Sequence, residues 1–530
     1  MRAEGRASPR GTAPRRGLGR VPVAVRALVA LHGLTLVLAS VLFPTYRAPD
    51  ESAHVDMVVA VAQGAGYPEV GQRRISQRVI DSFAVVGHVR EGEAQPLRAA
   101  DAPARGERPR FADLGPDVAG DVRQQMAAHP PLYYLLAAAA LSGVTAVVPF
   151  TGDWSFDQVV GFLRLFSALV VLPLPLIAYL VAGRLGAPRP AAVTAAVLPL
   201  GVPQLTHVGA SVNNDTLLVL LLGLLTLPTL AVARGDRSWR TAAVAGLLGG
   251  LALLTKGFAL FVPLWLAAVY GLGVLRGAGW RGMTAGALSV ATAVAVGGWW
   301  WIRNLVVHGT VQPAGLPGPP APEGFTPDVG FWLPFYVERL SHRFWIEPNI
   351  VPDGAPPLHL LATLVVVMLC VAAFAGCRRT GQSPADLTVV LAPLAGLGGI
   401  VTFGAWRVYA RTGTPFAIHG RYLYGAVVGI AVVGALGAFT LLGARSRRLP
   451  FVALAVVVVV QATAAGLALV TYWGPPGARG AAVLAWSPWP ALFVVGALAG
   501  AVALVAWLVP AFLDGAAAQR SPQGAPRRRR

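Results

Sequence analysis

Residues 27–43, ALVALHGLTLVLASVLF, contain no Asp, Glu, Lys or Arg across seventeen positions. A helix of this length can cross the roughly 30 Å hydrocarbon core of a bilayer. The segment that follows, Pro44-Thr45-Tyr46-Arg47, does not resemble the small-residue site at which a signal peptide is cleaved. We therefore predict an uncleaved first transmembrane helix at 23–43. Because similar apolar stretches recur towards the C-terminus, we predict an all-α polytopic membrane protein.

The composition also indicates a membrane protein. Apolar residues make up 55% of the 530 residues and charged residues 13%, whereas soluble domains carry about 25% charged residues. The net charge of +19 reflects arginines in the two tails and in short loops between apolar stretches, which is typical of membrane topology and not of nucleic-acid binding. We predict disordered, basic cytoplasmic tails at 1–22 and 513–530, with membrane lipid but no nucleic acid as a partner.

The arginine-bearing loops determine the predicted topology, because such loops stay on the cytoplasmic side. They are the loops at 184–189, 234–240, 276–281, 378–379 and 445–448. Two large loops, 44–130 and 303–357, are then extracytoplasmic, and they precede transmembrane regions at 131–302 and 358–512. The protein is predicted to be a multi-pass protein of the cell membrane, and an aromatic segment in the second loop, 331–345, is predicted to form an interfacial helix.

One part of the topology requires a choice. Two apolar segments, 131–150 and 160–182, lie between an external position and the cytoplasmic loop at 184–189, so both cannot cross the membrane once. We predict that 131–150 is re-entrant or interfacial, because the connector after it carries two Asp and no Arg. The alternative is that the loop at 184–189 breaks the charge rule. The first interpretation gives about twelve crossings.

An acidic pair follows the first helix, in Ala48-Pro49-Asp50-Glu51-Ser52-Ala53-His54. The proline suits the start of a helix, and on that helix His54 shares a face with both carboxylates. Such a group can act as a general base with an orienting partner, or can bind a divalent cation. The alternative is that Asp50 and Glu51 only complement the positive end of a helix.

Two further charged residues lie on the same predicted face of the membrane. Asp215 begins a long apolar helix, where it can serve simply as a cap. Lys256 is the one lysine beside 42 arginines, which suggests a need for a compact ammonium group, for instance beside a phosphate. The alternative is that this lysine has survived by chance.

Arginines also occur at predicted outer helix ends, against the positive-inside bias. Arg303 follows a run of three tryptophans, which we interpret as an interfacial belt, and Arg421 follows His419-Gly420. Arginine is well suited to hold a phosphate through two hydrogen bonds. Arg164, inside an apolar helix, is a further intramembrane cation.

Together these motifs resemble the GT-C glycosyltransferase superfamily, most closely its bacterial branch of polytopic membrane proteins. The resembling stretches are Ala48-Pro49-Asp50-Glu51-Ser52-Ala53-His54, His129-Pro130-Pro131-Leu132-Tyr133-Tyr134, Asn214-Asp215, Trp301-Ile302-Arg303-Asn304 with Gly309, and His419-Gly420-Arg421-Tyr422. They span most of the chain in the family's order, and their ordered combination is more specific than any one of them.

The resemblance implies a hexosyl- or pentosyltransferase whose active site is extracytoplasmic and whose donor is a polyprenyl-phosphate-linked sugar. Asp50 would be the general base, with Glu51 as the second catalytic residue. Lys256, Arg303 and Arg421 would stabilise the departing phosphate. The remaining substrate-binding candidates are His54, His129, Asp215, Asn304 and Tyr422. A divalent cation is possible in this family, so metal dependence stays open.

The resemblance also bears on the acceptor. The sequence lacks the soluble C-terminal domain and the tryptophan-based peptide-binding signature of oligosaccharyltransferases. We therefore expect a glycan or lipid acceptor, that is, a lipid, a polysaccharide or a cell-wall component. A transporter or lipid-linked saccharide flippase is the alternative, since membrane-embedded charge can line a pathway. A polymerase or ligase of a different fold would not need Asp50 and Glu51.

Overall fold

The computed structural model describes residues 21–87, 95–115, 118–313, 319–346, 348–351 and 355–518. The chain is mainly helical there, with one short pair of strands. The helices are α1 (Val23–Leu42), α2 (Glu51–Ala62), α3 (Gln77–Val85), α4 (Leu132–Val147), α5 (Phe156–Val171), α6 (Leu174–Arg184), α7 (Arg189–Val197), α8 (Pro203–Gly209), α9 (Asp215–Ala233), α10 (Trp239–Leu253), α11 (Val262–Gly273), α12 (Gly279–Ala293), α13 (Trp299–His308), α14 (Val329–Trp345), α15 (Leu358–Ala375), α16 (Cys377–Thr380), α17 (Pro384–Thr412), α18 (Val427–Leu442), α19 (Leu449–Tyr472), α20 (Arg479–Trp486) and α21 (Ala491–Ala518). The strands β1 (Arg74–Ser76) and β2 (Ala119–Arg123) pair antiparallel in the loop after α1.

Ten helical segments of the described residues are long and apolar enough to cross a membrane. They are Val23–Leu42, Phe156–Arg184, Asp215–Ala233, Gly257–Gly277, Gly279–His308, Leu358–Ala375, Pro384–Thr412, Gly420–Leu442, Arg445–Tyr472 and Ala491–Asp514. An eleventh results if Arg189–Gly201 and Pro203–Gly209, which meet at a bend of 69°, form one broken span. The structure thus supports a mostly helical, multi-span architecture.

The number of crossings is not confirmed as about twelve. Part of the difference comes from α10, whose segment is counted among the twelve, whereas that of α4 is not. Helices α4 and α10 have 16 and 15 residues. At 1.5 Å per residue they extend only about 24 and 22 Å, which is less than the thickness of the hydrocarbon core. The short α4 covers the segment predicted to be re-entrant or interfacial, and that placement stays a prediction, as does the orientation of the termini. The predicted tails lie largely outside the described residues, although α21 continues past residue 512 to Ala518.

The chain bends by 69° between α7 and α8, and α9 follows α8. Pro203 opens α8 and has no backbone N–H, so the hydrogen-bond ladder is interrupted there. Gln461, from α19, donates one hydrogen bond to the Leu200 carbonyl at 2.6 Å and another to the Thr206 hydroxyl at 2.8 Å. A broken helix inside a membrane protein needs such replacement partners. The bend therefore allows α9 to begin inside the folded protein at Asp215.

A buried ion pair connects the start of α2 with α5. Arg164 donates from Nε to Glu51 Oε1 at 2.8 Å and from Nη2 to Glu51 Oε2 at 2.6 Å. The two side chains are 4% and 0% exposed. The guanidinium also donates to the carbonyls of Ser40, Phe43 and Pro44. The carboxylate also accepts from the backbone N–H groups of Tyr46 and Val212. Arg164, predicted as an intramembrane cation, thus has a fully satisfied partner.

We predict that Arg164→Met strongly destabilises the protein, because the Glu51 carboxylate then stays buried without its cation. Breaking a buried pair in this way costs about 3–5 kcal/mol. The free energy of unfolding can be measured by denaturation of the purified protein in micelles. Arg110→Met is the matched control, since Arg110 and its partner Asp113 are 47% and 43% exposed and exposed pairs contribute about 1 kcal/mol or less. Equal losses in the two variants would contradict the prediction.

Candidate active site

Asp50 immediately precedes α2 and has a left-handed backbone, with φ of 62°. Among the described residues, the other non-glycine residues with positive φ are Tyr46 and Ala417. Asp and Asn adopt this conformation more readily than most residues, and such strained positions often cluster at functional sites. The Asp50 side chain is 32% exposed, so its carboxylate is accessible from a cavity or from solvent.

Both oxygens of the Asp50 carboxylate have partners. Arg421 Nη2 donates to Oδ2 at 2.6 Å, and Gln125 Nε2 donates to Oδ1 at 2.9 Å. Gln125 comes from the loop before α4, which the sequence did not single out because an uncharged side chain in a polar loop gives no signal. These bonds hold Asp50 between two loops that are far apart in sequence.

Gly420 explains how Arg421 reaches the site. A Cβ atom at this position would lie 2.2 Å from the backbone nitrogen of Phe344, at the end of α14, so only glycine permits the close approach. Arg421 is 7% exposed, and its Nε lies 3.7 Å from Asp215 Oδ2. The guanidinium therefore bridges the Asp50 and Asp215 carboxylates.

Lys256 completes the cluster. Its Nζ donates to Asp215 Oδ1 at 2.6 Å, and the two side chains are 6% and 4% exposed. The ammonium lies 5.6 Å from the centre of the Phe258 ring and 5.2 Å from that of Tyr422, within the range of cation–π attraction. We call Asp50, Arg421, Asp215 and Lys256 the charged quartet. It contains two carboxylates and two cations, and Asp50 is its most exposed member.

The environment shifts the pKa of the groups in and around the quartet. Burial alone would raise the pKa of Asp50, but the Arg421 guanidinium and, to a lesser degree, the nearby His54 and His419 together outweigh burial and hold that pKa well below its usual range. Burial lowers the pKa of Lys256, against the opposing effect of Asp215. Burial also lowers the pKa of His54, His129 and His419 to about 3. Asp50 is therefore ionised and the three histidines are neutral at physiological pH.

The histidines and Tyr422 surround the quartet. His54 Nδ1 and the Tyr134 hydroxyl are hydrogen-bonded at 2.9 Å. Within the described part of the chain, His129 Nδ1 is buried and makes no hydrogen bond. His419 Nδ1 lies 3.2 Å from Arg343 Nη1, and its ring packs edge-on against Tyr422. Neutral imidazoles can donate and accept hydrogen bonds, so this ring of side chains suits a polyhydroxylated ligand.

Three predicted site residues lie apart from the quartet. Glu51 is bound to Arg164 and faces the protein interior. Arg303 pairs with Glu69, and its guanidinium lies 5.6 Å from the Trp300 ring centre. Asn304 is fully buried and donates to the Val311 carbonyl at 3.2 Å. Arg303 was predicted to act together with Lys256 and Arg421. Its contacts are instead with Glu69 and Trp300, outside the quartet.

A resident metal has no evident ligand set. Both carboxylates of the quartet already bind cationic side chains. Among the residues that the structure describes, no group of three or more His, Cys, Asp or Glu is arranged to hold a metal ion. The sequence left metal dependence open, and the described residues around the quartet provide no candidate set of metal ligands.

Residues 128–301, about a third of the chain, match the family described as dolichyl-phosphate-mannose-protein mannosyltransferase. The matched part contains His129, Asp215 and Lys256, whereas Asp50 and Arg421 lie outside it. This match confirms the family resemblance that the sequence motifs indicated. Comparison with curated proteins finds no match.

Solved structures similar to the chain include the following two. ArnT from Cupriavidus metallidurans bound to undecaprenyl phosphate is 13% identical, with a TM-score of 0.40, and the alignment covers 95% of this chain and 81% of that one. The Archaeoglobus fulgidus oligosaccharyltransferase in the apo form is 12% identical, with a TM-score of 0.43, and the alignment covers 86% of this chain and 56% of that one.

We predict that Arg421→Gln raises the pKa of Asp50 above its usual range, because burial then acts without the opposing cation. In the unsubstituted protein the depressed pKa contributes stability at neutral pH, which is lost only as pH falls through the lowered value. The carboxylic-acid band of Asp50 in infrared spectra, identified by its loss in Asp50→Asn, reports the titration. Arg421→Lys should keep the pKa low, and Arg303→Gln should leave it unchanged. An unaltered titration in Arg421→Gln would refute the assignment of Arg421 as the main cause.

Proposed function

We propose that the protein is a membrane glycosyltransferase that transfers a hexosyl or pentosyl group from a polyprenyl-phosphate donor to an extracytoplasmic acceptor. The charged quartet carries this proposal, since it combines an accessible, ionised Asp50 with two cations that can bind a phosphate. The family match at 128–301 supports it, because the family's description names a lipid-phosphate-linked sugar as donor. A lipid, polysaccharide or cell-wall component is our proposed acceptor.

The proposed reaction is a displacement at the anomeric carbon of the donor sugar. The acceptor hydroxyl oxygen forms the new bond to that carbon while the bond from the carbon to the phosphate oxygen breaks. The acceptor proton passes to the Asp50 carboxylate, and the bonding electrons leave with the polyprenyl phosphate. Asp50 acts as general base, a role that commonly contributes about 10²–10⁴ to a rate.

Arg421 and Lys256 are the proposed partners of the phosphate. Their charges would stabilise the negative charge that grows on the leaving oxygen. Because Arg421 also binds Asp50, a donor phosphate competes with that carboxylate for the same guanidinium. Donor binding therefore weakens the contact that keeps the pKa of Asp50 low, and it makes the carboxylate a better base when the donor is present.

Glu51 is proposed as a positioning residue, since its oxygens are all engaged with Arg164 and backbone N–H groups. His54 and His129 are proposed to bind sugar or acceptor hydroxyls, given that both are neutral and lie near Asp50. Arg303 and Asn304 are left without a direct role in this scheme.

We predict that Asp50→Asn lowers sugar transfer at least about 100-fold, because the amide cannot accept the acceptor proton. Transfer can be followed as release of polyprenyl phosphate from radiolabelled polyprenyl-phosphate sugars in membranes containing the protein. The amide has nearly the same size, so the variant should insert like the parent, although it loses the stability that the charged Asp50–Arg421 contact contributes.

Asp101→Asn is the control for this prediction, since Asp101 is exposed in the same loop. It should leave transfer unchanged. Undiminished transfer by Asp50→Asn would refute the base assignment. Movement of the lipid-linked sugar across the membrane without any transfer would favour a flippase instead.

We predict that Lys256→Arg weakens donor binding about tenfold. The larger guanidinium must fit a buried space between Asp215 and two aromatic rings, and overpacking of this kind costs about 1–3 kcal/mol. Competition by undecaprenyl phosphate against the labelled donor measures the affinity. Arg303→Lys is the reciprocal control and should bind the donor normally. Equal donor affinity in Lys256→Arg and the parent would contradict the prediction. It would favour the alternative that this lysine has survived by chance.

A further inference from the structure

A polar cavity lies at the other end of α9 from the charged quartet. Helix α9 begins at Asp215 in the quartet and ends 19 residues later at Ala233, a length of about 28 Å. The cavity there has a volume of about 320 Å³ and is formed by the ends of α9, α11 and α12 with the loop after α9. Its lining includes Arg234, Arg237 and Arg276. We call it the basic pocket.

Two of the three arginines, Arg237 and Arg276, have guanidinium N–H groups that are not bonded to any described residue. Arg234 is engaged, since it donates to Asp386 Oδ2 at 2.9 Å and to the Leu185 carbonyl at 3.0 Å. Arg276 uses Nη1 for the Ala233 carbonyl at 3.1 Å. Arg237 is exposed and makes no hydrogen bond or ion pair with any described residue. The pocket therefore presents unpaired guanidinium groups.

The pocket lining contains one acidic residue, Asp236, against three arginines. Asp236 accepts hydrogen bonds from the Ser238 backbone N–H at 2.9 Å and from the Thr241 hydroxyl at 2.8 Å. These bonds direct its carboxylate to the start of α10. The acidic partner of Arg234, Asp386, is likewise occupied. The pocket thus has a net positive charge and no free carboxylate to receive an ammonium group.

Large apolar side chains within two residues of the lining residues Arg276 and Gly282 are exposed. Leu275 is 87% exposed, Trp280 67% and Met283 62%. Exposed apolar residues on membrane-spanning helices face lipid chains, and tryptophan prefers the level of the head groups. Arg281 lies 5.7 Å from the Trp280 ring centre, which suits such an interface. The basic pocket therefore opens beside a surface suited to acyl chains.

We propose that the basic pocket binds the phosphate head group of an anionic phospholipid in the leaflet opposite the charged quartet. Arginine forks match phosphate oxygens, and basic pockets between membrane helices are known to take such head groups. A zwitterionic lipid fits less well, because its ammonium would meet Arg237 and Arg276. A free phosphate would leave the adjoining apolar surface unused. This proposal is independent of the proposed glycosyl transfer.

Native mass spectrometry of the full chain in detergent tests the proposal, with phosphatidylglycerol and phosphatidylcholine as probes. Phosphatidylglycerol should be retained in preference to phosphatidylcholine. Arg237→Gln should weaken its retention about fivefold, as expected for one basic residue near a phospholipid surface. Arg276→Gln should add a similar loss.

Arg240→Gln is the matched control. Arg240 is exposed three residues beyond Arg237 and does not line the cavity, so this variant should retain phosphatidylglycerol like the parent. Because Arg237 makes no hydrogen bond or ion pair with described residues, its substitution should not alter unfolding, and it keeps the test valid even if Arg276→Gln fails to fold. Equal losses in Arg237→Gln and Arg240→Gln, or equal retention of the two lipids, would overturn the proposal. Displacement of the lipid by millimolar inorganic phosphate would also overturn it, in favour of a soluble anion.

Discussion

The buried pair of Glu51 and Arg164 determines how the site is assembled. Removing both charges from water costs several kcal/mol per ion, and this cost is offset only when every remaining donor and acceptor is satisfied. Here the remaining bonds go to the end of α1, to the loop after it and to the turn before α9. The pair therefore fixes three chain segments at once. Asp50 precedes Glu51 directly and Asp215 follows Val212 by three residues, so the same bonds set the distance between the two carboxylates of the quartet.

The neighbouring acidic residues consequently have different environments. Glu51 is the first residue of α2 and points into the protein, whereas Asp50 has the left-handed conformation and faces Arg421. An accessible carboxylate can exchange partners with a substrate. One that holds three backbone segments together cannot do so without disrupting the fold. Backbone strain persists at functional sites only where the surrounding structure holds the chain in place. At Asp50 the next residue, Glu51, is held by Arg164 and two backbone N–H groups, so the strained φ of Asp50 can be maintained.

Much of this arrangement could be predicted from the sequence. Asp50, Asp215, Lys256 and Arg421 were each recognisable as charged residues at predicted outer ends of apolar helices, where arginine and lysine run against the positive-inside bias. Their pairing was not predictable, because it depends on contacts between distant segments, such as the approach of Gly420 to the backbone of Phe344. Arg303 illustrates the limit. Arg303 and Arg421 were both predicted at outer helix ends. The partner of Arg303, Glu69, lies in a polar loop where no sequence pattern marks it as a partner. Likewise, the apolar composition of residues 189–209 does not reveal the 69° bend at Pro203.

The balance of charge in the quartet has a consequence for proposed donor use. Two carboxylates and two cations sum to zero, and the three neighbouring histidines are neutral, so the site can be buried without a donor. A phosphate that enters adds negative charge and must share Arg421 and Lys256 with Asp50 and Asp215. The contact most easily given up is that of Asp50, because it is the most exposed of the four and water or an acceptor hydroxyl can replace the guanidinium. In the proposed reaction, occupation by the donor would therefore activate the base, and the ionised Asp50 carboxylate would remain a weak base as long as the donor is absent.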